Sequence, residues 1–284
     1  MQQTIDTLLR QHHHIEHRLF LLAENKASFL ADIYRLLPHC ETWPLMLNSE
    51  LEAVAHQGPH LTLLPDNTHV EQLWQAAQAG GWHFCLLAGP ITEHRAQEQL
   101  FTRLQVQYNG GRKGLLRYYA PVISDYLFRY CSDADFASWM GDFDRVYWFS
   151  TPFWQDEAPG WHTRQTPDHT AACTEQLLPS MQQALERCQL DKLLTRFIHE
   201  QQLPPQPLHW WQQQHAHIQH AEAHNIYSET GLLDYLALCR HSTLQAPLQQ
   251  ASQAGLQLNG DEQNKLTSLK HWLMTQEKEF EHEY

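Results

Sequence analysis

Apolar and polar positions recur along this chain with two different periods, and the change of period divides it. Over residues 5–30, Ile5, Leu8, Leu9, His12, Ile15, Leu19 and Leu22 return at three- and four-residue steps, which predicts a helix. FLADIYRLL at 29–37 fits either a helix or a strand and stops at Pro38. HLTLL at 60–64 predicts a strand closed by Pro65-Asp66-Asn67. Thr68 and Glu71 have the spacing of a capping box, opening a helix that carries Val70, Leu73, Trp74 and Ala77 and ends at Gly80-Gly81. WHFCLLA at 82–88 is a nearly unbroken apolar run between glycines, the pattern of a central strand covered on both faces. Thr92 predicts the cap of a helix reaching about Tyr108, with a turn at Asn109-Gly110-Gly111. LLRYY at 115–119 reads as a third strand cut by Pro121. A short helix with Val122, Tyr126, Leu127 and Tyr130 follows, Ser132 caps another through Trp139, and RVYWFS at 145–150 is the last strand predicted.

After residue 151 the pattern changes. TPFWQDEAPGWHTRQTPDHT is rich in proline and reads as a connection, with a linker placed at 156–164. Beyond it the strand signals vanish. Leu177, Met181, Leu185, Cys188, Leu194, Phe197 and Ile198 predict one amphipathic helix, which Pro204, Pro205 and Pro207 break. Trp210–His224, Thr230–His241 and Asp261–Glu281 predict three more. The fold class expected is therefore α+β: an N-terminal α/β lobe at 1–155 with a small mixed sheet flanked by helices, then an all-helical lobe at 165–284.

Composition narrows the function classes. With 284 residues, 42% hydrophobic and 11% aromatic, the chain can bury a sizeable core, and the composition argues against disorder. Nineteen basic against 32 acidic residues give a net charge of −13, which argues against nucleic acid or an anionic membrane as partner. No segment approaches the roughly 20 apolar residues of a membrane helix. The first residues have no basic leader, long apolar core or small-residue cleavage site, so no secretory signal is expected. The six cysteines are widely spaced and lack a CxxC pair, which favours small buried thiols in a reducing compartment over a disulfide framework.

Chemistry-bearing patterns are weak. His13 and His17 lie one helical turn apart, as do His220 and His224, a spacing that can chelate zinc. The order of HExxH is missing, however, and no third ligand is evident. No GxSxG elbow or phosphate-binding glycine loop is present; Asn109-Gly110-Gly111-Arg112-Lys113-Gly114 reads as a basic hairpin-like turn. Asp133/Asp135 and Asp142/Asp144 can serve acid–base work, or act as helix caps and solvated loop residues. Trp139, Trp148, Trp154 and Trp161 cluster near the change of pattern and can be core residues or partner anchors.

From Phe29 to Trp148 an ordered set of phrases resembles a known family. Gln57-Gly58-Pro59-His60-Leu61-Thr62-Leu63-Leu64 is similar to its "GPyLv-L" phrase. Gly81-Trp82-His83-Phe84 resembles "gWg-f", and the helix from Thr92 follows as it should. Leu116-Arg117-Tyr118-Tyr119-Ala120-Pro121 resembles "fRfYDP", with Ala120 in place of the aspartate and Val122 in place of the arginine that follows the proline. Ser132 to Trp139 and Gly141 resemble the closing phrase, with Asp142 in place of its proline, and HAEAHNIYSETGLLDYLALC adds a phrase common in such proteins. The family is the adaptor/chaperone domain of type VI secretion systems, long catalogued as a domain of unknown function. The resemblance implies a cytoplasmic, non-enzymatic protein of a Gram-negative bacterium, without cofactor or metal. It implies two partners, a cognate effector and the C-terminal region of the VgrG spike protein. Partner binding is expected at Arg117, Tyr118, Tyr119, Pro121, Trp139, Trp148, Trp154 and Trp161. The rival readings are a metal-dependent hydrolase built on the histidine pairs and a structural component of the secretion apparatus.

Overall fold

A computed structural model describes residues 4–12, 17–26, 28–108, 111–166, 176–241 and 247–282. A six-stranded sheet organises the first part. Its strands are β1 (Arg18–Ala23), β2 (Thr42–Pro44), β3 (His60–Leu64), β4 (Phe84–Gly89), β7 (Arg145–Ser150) and β8 (Gly160–Gln165), in the order β2-β3-β1-β4-β7-β8. Every neighbouring pair is antiparallel. A separate hairpin joins β5 (Gln105–Tyr108) to β6 (Arg112–Leu115).

Helices cover both faces. Along β1, Phe20 and Leu22 enter one core while Leu19, Leu21 and Ala23 enter the other. The odd-numbered set packs against α1 (Ile5–His12), α2 (Phe29–Leu36) and α3 (Val70–Gly80), through Ile5, Leu9, Phe29, Ile33, Val70 and Leu73. The even-numbered set packs against α4 (Glu93–Leu104), α5 (Pro121–Tyr130), α6 (Asp133–Met140) and the start of α7 (Pro179–Glu200), through Leu100, Phe128, Phe136, Met140, Met181 and Leu185. Burial on both faces is what makes β1 and β4 continuous apolar runs although the sheet is antiparallel.

The chain forms two compact units. Met1–Pro152 with Ala158–Cys188 make the first, and Phe153–Glu157 with Gln189–Tyr284 the second. The second is helical: the rest of α7, then α8 (Leu208–Ala223), α9 (Glu229–His241), α10 (Pro247–Gln253) and α11 (Glu262–His282). Its core holds Phe197, Trp211, Ile218, Tyr235, Leu236, Leu248 and Leu269, all nearly inaccessible. Phe153 stacks on Trp211, and Asp156 accepts from the Leu208 N–H at 2.7 Å, capping the start of α8. Glu262 does the same for α9, accepting from the N–H groups of Tyr227 and Ser228 at 2.7 and 3.1 Å.

Several local expectations are corrected. The helix predicted over 5–30 is α1 followed by the central strand β1; a doubly buried strand has no period that separates it from a buried helix. The helix from Thr92 ends at Leu104, and β5 follows. LLRYY contributes only Leu115 to a strand; Arg117–Ala120 form a turn, and Pro121 takes the first position of α5, where its missing N–H costs nothing. The capping box at Thr68 is absent. Thr68 donates instead to Asp66, and α3 begins at Val70. The stretch placed as a linker at 156–164 contains most of β8, an edge strand in which Arg164 and His162 replace apolar residues. Thr92 and Ser132 do cap α4 and α6, accepting from the N–H groups of Arg95 and Asp135. Cys85, Cys131 and Cys239 are buried free thiols, Cys188 is buried, and Cys40 is half-buried and free; Cys173 lies outside the described residues. No helix among the described residues is long and apolar enough to cross a membrane.

Candidate functional site

Where β1 ends at Ala23 the chain turns polar, with Glu24, Asn25 and Lys26 in succession. The Glu24 N–H donates to the His83 carbonyl at 2.9 Å, which fixes this segment beside the start of β4. Gly81 adopts φ 65° as the left-handed cap of α3, a conformation without penalty for glycine. Lys26 Nζ donates to the Gly81 carbonyl at 2.7 Å and lies 3.3 Å from Glu24 Oε2. The other carboxylate oxygen accepts from Arg117 Nη2. Arg117 sits on the turn before α5, with its guanidinium carbon 5.9 Å from the Tyr119 ring centroid. Asn25 Nδ2 closes the group by donating to the His56 carbonyl at 2.7 Å.

Two cations thus flank one carboxylate. The Arg117 side chain is 56% exposed, while that of Glu24 is 13% exposed. Burial, then the Lys26 charge, pushes the His83 pKa down, against the pull of Glu24, so the imidazole is neutral at pH 7. The Tyr119 phenol is pushed up, mainly by burial and against the opposing Arg117 charge. The cluster is therefore locally positive on a chain of net charge −13. A guanidinium carries five N–H donors, so Arg117 can hold Glu24 and still present a fork to a second carboxylate.

The eight residues expected to bind partners are placed unevenly. Arg117 is at the surface, and Pro121 is half-buried at the start of α5. Tyr118 is a core residue, donating to the Leu100 carbonyl at 3.0 Å with its ring 4.9 Å from that of Trp139. Tyr119 is buried beside it. Trp148 packs on Phe128 at 5.5 Å and donates to Asp125 Oδ1 at 2.9 Å, where Arg129 also binds at 3.1 Å. Trp161 lies in the opposite core, 5.1 Å from Trp74, and Trp154 belongs to the second unit, bonded to Glu157 at 3.1 Å. Burial gives Tyr118, Tyr119, Trp139, Trp148, Trp154 and Trp161 packing partners in place of solvent, so they are not surface anchors in this structure. Of the eight, Arg117 is the one whose side chain is largely solvent-exposed. Glu24, Lys26 and His83 were not singled out by sequence; the only cue is the abrupt polar triplet after an apolar run.

The other candidates have structural occupations. Asp135 accepts from the N–H and hydroxyl of Ser180 at 2.9 and 2.6 Å, capping α7, and Asp133 pairs with Arg164 at 2.5 Å. Asp142 binds Arg95 at 2.9 Å and Asp144 binds His17 at 2.8 Å. His224 Nδ1 donates to the His220 carbonyl at 2.8 Å, and His13 lies outside the described residues. Among the described residues no three of His, Cys, Asp and Glu come together as a metal-binding set. The basic turn at 109–114 joins the β5–β6 hairpin, whose residues 109–110 lie outside the described ones.

No curated protein and no solved structure matches the chain. Residues 19–138 match the model of a family described as a domain of unknown function, DUF4123, a stretch from β1 to α6 that contains Glu24, Lys26, His83 and Arg117 together.

Proposed function

We propose that the chain is a non-enzymatic adaptor that binds a type VI secretion effector in the cytoplasm of a Gram-negative bacterium and helps load it onto the VgrG spike. The observation that carries this reading is the match over residues 19–138, because that family is known in type VI secretion effector adaptors. The Arg117 cluster supports it physically. It lies within the matched stretch, is held in place by backbone carbonyls, and offers an exposed guanidinium for an acidic partner segment. Recognition by an Arg anchor requires no cofactor and no nucleophile. Mixing the purified chain with the effector encoded beside it and with the C-terminal region of VgrG tests the reading by pull-down. Retention of both partners supports it; retention of neither refutes it.

A further inference from the structure

The helical unit holds a cavity of about 310 Å³ between α7, α8 and α9 that the adaptor reading does not use. One wall is apolar, made by Phe197, Leu203 and Trp210. The remainder is polar and includes Gln214, His217 and Arg240. Gln214 and His217 are each only 7% exposed and line this cavity, and the His217 ring also meets Tyr235 edge-on at 6.3 Å. His217 Nδ1 has no hydrogen-bond partner, an uncommon state for a buried ring nitrogen. Burial pushes the His217 pKa down, so the ring is neutral at pH 7 and brings donor and acceptor capacity without charge. Arg240 stands at the surface with Nη1 donating to the neutral Gln201 amide at 3.0 Å. The contrast with Arg196 is direct, since that guanidinium holds both Glu200 and Glu229. Among the described residues no carboxylate lies within ion-pair distance of Arg240, although the chain carries an excess of acidic residues.

We infer that this cavity binds a peptide carboxylate that lies on or next to a residue with a hydrophobic or aromatic side chain. Arg240 takes the two oxygens as a fork, Gln214 and His217 supply neutral hydrogen bonds below, and Trp210 with Phe197 and Leu203 covers the apolar part. The volume is at the low end for ligand sites and suits one or two residues of a polypeptide. The carboxylate comes from a chain terminus or from an acidic side chain, and both present the same group. The cavity lies wholly within the helical unit, so its occupancy does not depend on whether the chain is an adaptor.

The test uses the full chain, labelled with ¹⁵N, and follows the Trp210 indole signal and the Tm. Three probes are titrated: acetyl-Leu-Phe with a free carboxylate, its C-terminal amide, and acetyl-Phe-Glu amide. Saturable shifts are expected with the free acid, the glutamyl amide or both, and which of them binds distinguishes a terminus from a side chain. The neutral amide should bind about tenfold more weakly, as loss of a charge-assisted fork implies. Arg240→Gln removes the fork at an exposed position, so it should weaken the acid probes about tenfold while leaving the Tm unchanged. Equal binding of acid and amide, acid binding unaltered by Arg240→Gln, or no saturable shift with any probe overturns the inference.

Discussion

Replacing Arg117 by alanine separates a recognition role from a structural one. The side chain makes one ion pair with Glu24, and it is 56% exposed. Such a pair is screened by solvent and contributes about 0–1 kcal/mol. The approach to Tyr119 at 5.9 Å is near the outer limit for a cation over a ring and adds about 0.5 kcal/mol at an exposed position. Glu24 keeps a second cation, because Lys26 Nζ lies 3.3 Å away, so its carboxylate is not stranded. The total loss is therefore about 1 kcal/mol, which lowers the Tm by about 2–4 °C for a chain of this size. Added salt at about 1 M should shrink the difference further, since the Debye length falls to about 3 Å. Thermal unfolding followed by circular dichroism at low and high salt measures both effects. A Tm drop above about 8 °C, or a loss of cooperative unfolding, would show that Arg117 holds the fold and would remove it as a surface recognition group.

Arg103→Ala should behave in the opposite way. The residue is 1% exposed and its guanidinium donates to the Trp139 and Gln99 carbonyls, so about 3–5 kcal/mol of stability should be lost, read as a large shift in denaturant midpoint; a near-neutral result refutes this. A fragment ending at residue 160 should be insoluble, because it lacks most of β8 and the side chains of Leu177, Met181 and Leu185, which belong to the sheet's core. Those three alone contribute about 5–9 kcal/mol, comparable with the whole stability of a domain; a soluble, cooperatively folding fragment would contradict the packing. Stability should also fall as the pH drops below about 6.5. His60, His83 and His217 have pKa values lowered by burial, so the unfolded chain binds more protons than the folded one, and the stability present above pH 6.5 is lost on acidification. A Tm that is flat or rises between pH 7.5 and 5.5 would contradict that sign.

Much of the α+β organisation was legible because its signals were local. HLTLL, WHFCLLA and RVYWFS are apolar runs bounded by turn residues, and all three are strands. Thr92 and Ser132 announce their helices through a hydroxyl that satisfies a backbone N–H. What escaped depends on tertiary context. RLFLLA continues the three- and four-residue spacing of α1, and only its neighbours β3 and β4 make it a strand. GWHTRQ lacks apolar alternation because β8 is an edge strand, whose Arg164 reaches the Phe128 and Cys131 carbonyls and Asp133. The site was legible at Arg117, a cation in a strand-like phrase. It was invisible at Glu24, Lys26 and His83, which no spacing links and which meet only because β1 and β4 are adjacent. The tryptophans misled because a proline-rich stretch suggests exposure, whereas Trp161 lies on an ordered strand and Trp154 is fixed beside Glu157.

The proposed role turns on whether the chain joins two proteins that do not associate without it. Effector, VgrG C-terminal region and chain can be mixed at defined concentrations and their assembly mass measured by light scattering on a sizing column, with and without the chain. The adaptor reading predicts that effector and VgrG elute separately when the chain is omitted and together in a complex when it is present. Co-elution that is independent of the chain, or a chain that elutes alone with both partners present, would contradict it.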